Sequence, residues 1–175
     1  PNESGIVYCI RRKDVDAMAE SLQAAGYRAL PYHAGMSDGD RLRHQQAFMR
    51  EEIDIIVATV AFGMGIDKSN VRYVIHSAMP KTLEHYQQES GRAGRDGLEA
   101  ECHLLYSAGD YWTWKYLMGN GEAGEIASRK LDELYSFCTG FRCRHEAIVA
   151  YFGQYLGRES FGACDVCLDE TAAVD

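Results

Sequence analysis

The 175-residue sequence predicts an α/β chain: a parallel sheet flanked by helices through about residue 107, followed by a smaller helical unit over 108–175. Three observations predict it. Strand-like and helix-like stretches alternate along the first hundred residues, as they do where helices carry the chain back between parallel strands. One of those stretches, "IDIIVA" at Ile53 to Ala58, is almost wholly apolar and β-branched, which suits a strand covered on both faces. After Ser107 the alternation stops, and the remaining stretches are helical and carry four of the six cysteines.

The elements follow in order. "GIVYCI" (Gly5 to Ile10) is a short apolar run fit for a buried strand. Asp14 to Ala25 places Val15, Met18, Ala19 and Leu22 at helical spacing, and Gly26 supplies a stop. "RALPYH" is extended, and Ser37 with Asp40 forms a start resembling a capping box for a helix reaching Arg50. "IDIIVA" and "VRYVIHSA" are strands, Thr82 to Ser90 a helix, and "AECHLLY" a further strand. Beyond Ala108, "GDYWTWKYLM", "GEIASRKLDELYSFC" and "CRHEAIVAYFGQYL" read as helices. In open parallel sheets the working groups lie beyond the carboxyl ends of the strands. "HAGM", "TVAFGMGIDKSN" and "AMPKTLEHY" are expected there.

With 46% hydrophobic residues the chain can build one full core and a smaller second one. It has no apolar run of about 18 uncharged residues, so no membrane-spanning helix is expected. The opening "PNESGIVYCI" has neither a basic-then-apolar leader nor an initiating Met, which leads us to expect a non-secreted piece of a longer protein. A net charge of −8 argues against a surface that coats nucleic acid generally, yet "RRK" (Arg11 to Lys13), "RLR" (Arg41 to Arg43), Arg92 and Arg95 leave room for a local basic groove.

The cysteines fall into two sets. Cys9 and Cys102 lie in strand-like runs and are expected to be small buried residues. Cys138, Cys143, Cys164 and Cys167 follow C-x4-C-x20-C-x2-C, a pattern that suits one tetrahedral Zn²⁺ more than disulfides in a chain that is not secreted. A closed site of this kind would be structural. His145 and Asp165 are alternative fourth ligands to Cys138.

The stretch "YQQESGRAGRDG" sets Gln88, Arg92 and Arg95 at i, i+4, i+7, one face of a helix if the stretch is helical. Yet Gly91 and Gly94 each cost roughly 1 kcal/mol against alanine inside a helix. Something other than helix stability requires this pattern.

"DIIVATVAFGMGIDKSNVRYVIH" and "YQQESGRAGRDG" resemble motifs V and VI of superfamily 2 helicases in their RecQ form. "SGIVYCIRRKDVDAMAESL" resembles motif IV, "YHAGM" the short motif after it, and the cysteine-bearing tail the zinc-binding region of RecQ proteins. The resemblance covers nearly the whole chain in the family's order. It implies a RecA-like second lobe of an ATP-dependent 3′–5′ DNA helicase of recombination, repair and replication, with ATP and Mg²⁺ held mainly by a first lobe. That setting is cytoplasmic and nucleoid-associated in a bacterium, or nuclear in a eukaryote.

By the same resemblance Arg95 is the arginine finger that meets the γ-phosphate, Arg92 a supporting contact, and Gln88 a polar member of the motif. Gly63 and Gly65 give the motif V loop its backbone freedom, with Gly65 and Asp67 on the nucleotide side. The glycines of "GRAGRDG" let the backbone approach the facing lobe. Thr59 contacts a phosphate of the translocated strand, and His33, Ser37, Arg11 and Lys68 join the DNA-facing surface. A histidine at a strand end also serves commonly as a satisfied core residue. In the zinc region Phe161 stands where the family's pattern supplies a cysteine. The sequence holds no G-x-x-x-x-G-K-[ST] loop, so the chain alone is expected to be inactive. Two other readings fit parts of the pattern: a non-enzymatic zinc-bearing nucleic-acid module, and a lobe of a superfamily 2 RNA helicase.

Overall fold

The computed structural model describes residues 3–60, 62, 67–118, 122–155, 157 and 161–170. Its first unit is built on five parallel strands in the order β2-β3-β1-β4-β5. They are β1 (Ser4–Tyr8), β2 (Ala29–Tyr32), β3 (Ile55–Ala58), β4 (Val71–His76) and β5 (Glu101–Leu104). Helices α1 (Arg12–Ala24), α2 (Asp38–Met49) and α3 (Leu83–Ser90) connect them. This is the RecA-like parallel sheet that the sequence predicts.

Period-two alternation divides the apolar runs between two cores. Ile6, Tyr8, Ile56, Ala58 and Val74 pack with Phe48 and Phe62 on one face. Val7, Cys9, Ile55 and Val57 pack with Val15 and Ala19 of α1 on the other. All four residues of β3 are buried, so its continuous hydrophobicity reflects cover on both sides. Ser37 caps α2 by accepting from the Asp40 amide at 3.1 Å, and its hydroxyl donates to the Asp40 carboxylate at 2.7 Å. Gly26, at φ +88°, ends the segment after α1 in the left-handed region.

Cys102 departs from expectation. It lies on β5, the edge strand, and the residue is exposed because no neighbouring strand covers that side. Partial dehydration still pushes its thiol pKa up to about 11, with Sγ 3.6 Å from the Ser90 carbonyl.

The second unit is helical: α4 (Ala108–Met118), α5 (Glu122–Thr139), α6 (Arg144–Tyr151) and the short α7 (Asp165–Leu168). By compactness the chain divides into Pro1–Pro80 with Glu84–Thr113, and Lys81–Leu83 with Trp114–Asp175. Helix α4 therefore contributes to both units. Among the described residues no helix is long and apolar enough to cross a membrane.

Candidate functional site

Helix α3 stops at Ser90, and the chain then runs through successive tight turns. The amides of Arg92 and Ala93 donate three residues back, to Glu89 and Ser90 carbonyls. Gly94 takes φ +64°, and its amide donates to Val71 O at 2.9 Å, at the start of β4. The two arginines consequently do not share a helical face with Gln88, because the helix ends before them. Arg92 turns inward and is buried, whereas Arg95 stays outside with 39% of its side chain exposed.

Gly94 shows why the stretch sacrifices helix propensity. A Cβ there would lie 2.9 Å from Leu98 O and 3.1 Å from Ala100 Cβ, in a backbone conformation that side chains avoid. The close approach that this glycine permits is internal to its own unit. Gly94→Ala is expected to destabilise the chain by about 1–3 kcal/mol. Urea titration reads this as a lower midpoint at unchanged slope; an unmoved midpoint would show that the turn does not need this conformation.

The Arg95 turn is pinned from beneath. Arg72 on β4 holds both carboxylate oxygens of Asp96, at 2.6 and 2.7 Å, and donates to Glu99 O at 2.9 Å. That hydrogen bonding holds the Asp96 carboxyl below the usual carboxylate range. Arg95 itself is only lightly engaged. Its Nε donates to Gly91 O at 3.2 Å, and the Asp67 carboxylate, on a side chain 93% exposed, stands 3.6 Å away. An exposed pair at that distance contributes little, so the guanidinium is positioned by its backbone and remains available.

Arg92 plays a different part. It sits at the Tyr8 phenol within a buried group that includes His76 and Glu89. Burial raises the Tyr8 pKa and the Arg92 charge and hydrogen bond pull it back. The His76 Nε2 to Glu89 Oε2 distance is 2.8 Å, with 1% and 6% of these side chains exposed, and the His76 ring stacks 5.3 Å from that of Tyr8. Sequence reasoning missed His76, Glu89 and Arg72. Their only signal was position: a histidine closing "VRYVIH", an acid just before the glycine-arginine pair, and an arginine opposite "RDG".

The remaining predicted residues divide between the two edges of the sheet. Thr59 follows β3 directly and is buried, its amide 3.3 Å from Tyr32 O at the carboxyl edge. Asp67 leads into β4 at the amino edge, where the Asp96 amide donates to Ser69 O at 3.3 Å. "TVAFGMGIDKSN" thus does not lie wholly beyond the carboxyl ends, as the sequence suggested. A connection between parallel strands has to travel from one edge to the other. Gly63 and Gly65 lie outside the described residues.

Arg11 is exposed after β1 at the carboxyl edge, with Nε 2.8 Å from Asp14. Lys68 is not a surface cation: 4% of its side chain is exposed, Nζ is 3.2 Å from Glu51, and it lies 5.4 Å over the Phe48 ring. Removing that stem from water against Phe48 outweighs leaving it free. His33 is the satisfied core residue, Nδ1 accepting from the Gly35 amide at 3.1 Å and Nε2 3.0 Å from Asp16. The Ser37 hydroxyl is occupied in capping α2, and Gln88 is exposed on α3.

In the second unit the Sγ atoms of Cys143, Cys164 and Cys167 lie within 4.8 Å of one another. Cys143 stands immediately before α6, Cys164 immediately before α7, and Cys167 is within α7. From Cys164 the distances are 3.9 Å to Cys143 and 3.4 Å to Cys167. Zn–S bonds of about 2.3 Å set tetrahedral sulfurs about 3.8 Å apart, so these residues fit zinc. Cys138, near the end of α5, is buried but lies outside the group of three.

Arg144, which the sequence did not single out, organises this site. Its amide points at Cys164 Sγ at 3.4 Å, and its guanidinium holds Asp165 at 2.8 and 2.9 Å. It also donates to Gly140 O at 3.0 Å and to Phe137 O, carbonyls at and just past the end of α5. The Asp165 contact keeps that carboxyl below its usual range and raises the Arg144 pKa. One guanidinium thus joins the end of α5 to the starts of α6 and α7, and it stands at the helix end that carries Cys138.

Comparison with known proteins matches residues 1–97 to the helicase conserved C-terminal domain and residues 108–168 to the RecQ zinc-binding family. Across 99% of its length the chain is 44% identical to the ATP-dependent DNA helicase RecQ of Haemophilus influenzae, and across 99% it is 42% identical to that of Bacillus subtilis. It spans 28% and 30% of the length of those proteins. A DEAD box protein from the hyperthermophile Methanococcus jannaschii has a similar structure, with a TM-score of 0.57 and 26% identity over 73% of this chain and 33% of that one.

Proposed function

This chain belongs to the RecQ helicase family, and from that premise we propose that it forms the second motor lobe and zinc-binding region of an ATP-dependent 3′–5′ DNA helicase acting in recombination, repair and replication. The first lobe of the same protein supplies the phosphate-binding loop and the acids for Mg²⁺, and ATP binds between the lobes. Arg95 then donates to the γ-phosphate oxygens and offsets the charge that develops on them as the bond to the leaving diphosphate breaks. Asp67 and Gly65 serve the nucleotide side, with Gln88 supporting, while Arg92, buried at the Tyr8 phenol, acts from within the lobe. Thr59 and Arg11, at the opposite edge, face the translocated strand. Zinc holds the second unit together and takes no part in the chemistry.

One observation carries this reading. The Arg95 guanidinium is exposed on a turn that the Arg72–Asp96 pair and Gly94 fix in place, and among the described residues no strong internal partner claims it. A finger needs both properties, since a fork already in place loses little entropy when phosphate arrives. The segment from Thr59 to Asp67 joins the two edges, so the DNA and nucleotide contacts are linked through one stretch of backbone.

The test is direct. The full-length protein should unwind a duplex with a 3′ single-stranded tail, given ATP and Mg²⁺, and leave a 5′-tailed duplex intact. The chain alone should show no DNA-stimulated ATP turnover. Turnover by the isolated chain, or preference for the 5′ tail, would refute the assignment.

A further inference from the structure

We propose that the metal in the second unit is held by only three protein ligands, the thiolates of Cys143, Cys164 and Cys167, and that its fourth position is filled by a small exogenous donor, water in the simplest case. The proposal rests on the zinc-binding reading of this region and departs from the closed four-cysteine site that the sequence pattern suggested.

The geometry points this way on three counts. First, the three sulfurs form a compact triangle, and among the described residues no other cysteine, histidine, aspartate or glutamate joins them. Second, the nearby alternatives stand apart from that triangle. The Asp165 carboxylate takes the Arg144 guanidinium on both oxygens. The His145 ring packs against Phe161, with centroids 5.5 Å apart. Cys138, near the end of α5, lies outside the triangle as well. Third, position 161 stands three residues before Cys164 as Cys164 stands three before Cys167, and a phenyl ring there offers no donor.

The coordination has chemical consequences. Tetrahedral zinc retains four ligands, so a three-thiolate set leaves one place for solvent. Cys167 is only half-buried, so water can reach the group. Three thiolates and Zn²⁺ sum to one negative charge, which the neighbouring Arg144 guanidinium complements. An open position also lets a thiol, an imidazole or a chelator bind before any sulfur leaves. The metal is therefore expected to exchange faster than it would from a closed site.

X-ray absorption spectroscopy on the zinc-loaded chain tests this. The expected result is three sulfurs at about 2.3 Å and one nitrogen or oxygen donor at about 2.0 Å. Cys138→Ser should leave that count unchanged, and Phe161→Cys should convert it to four sulfurs. With cobalt in place of zinc, added imidazole should shift the visible spectrum of the unaltered chain and leave that of Phe161→Cys alone. Four sulfurs in the unaltered chain would overturn the proposal while sparing the zinc-binding reading, and that measurement requires no variant to fold. Failure to retain any metal would overturn both.

Discussion

Arg95→Ala in the full-length protein is expected to lower ATP turnover by about 10³- to 10⁵-fold, the range that an arginine finger contributes to phosphoryl transfer. Binding of single-stranded DNA, measured without nucleotide, should change little. The separation follows from placement: Arg95 lies on a turn bonded to the amino end of β4, whereas Thr59 and Arg11 lie at the carboxyl edge. Stability should also be nearly unaffected, because among the described residues the side chain makes one hydrogen bond, to Gly91 O, and one 3.6 Å contact with an exposed carboxylate. Arg95→Lys should recover little, since a point charge on a flexible stem does not reproduce a planar fork of donors. Hydrolysis that survives Arg95→Ala would remove the basis for the motor reading, whatever happened to DNA binding.

Cys164→Ser should produce the second large effect, a loss of fold confined to the second unit. Cys164 Sγ lies 3.9 Å from Cys143 Sγ and 3.4 Å from Cys167 Sγ, and the residue stands at the start of α7. The apolar core available to that unit is small. Its buried residues among those described include Leu131, Leu134 and Phe137, while α4 buries none. Structural zinc in small domains contributes about 10–16 kcal/mol of apparent binding energy, comparable with the whole stability of an ordinary domain. Losing it should leave α6 and α7 without a stable packing partner.

Hydrogen exchange reads this directly. Amides of α6 and α7 should lose protection in Cys164→Ser, and in the unaltered chain after chelation, while those of the five-stranded sheet keep theirs. The sheet has two apolar faces of its own and does not depend on the metal. Protection of α6 retained in the absence of bound zinc would show that the helices hold themselves.

The sequence by itself determined the parallel sheet, the order of helices and strands, the cap at Ser37, and the separation of a helical cysteine-rich unit. Each depends on neighbours within a few residues, through hydrophobic period, branched side chains or capping chemistry, and such signals survive without knowledge of the fold. Cysteine spacing also marked Cys143, Cys164 and Cys167, which cluster.

Only the tertiary structure decided where those residues stand and what they are free to touch. The i, i+4, i+7 pattern of Gln88, Arg92 and Arg95 is the same in a continuous helix as in one stopped at Ser90. It took Gly94 closing onto Val71 and Leu98 to send Arg92 inward and leave Arg95 outside. Lys68 was drawn from the surface by Phe48 and Glu51, residues about twenty positions earlier in the chain. Arg144 found its carbonyl and carboxylate partners only once three helix ends met. These outcomes depend on pairings between residues far apart in sequence, whose free energy exists only after the sheet and the helical unit have closed.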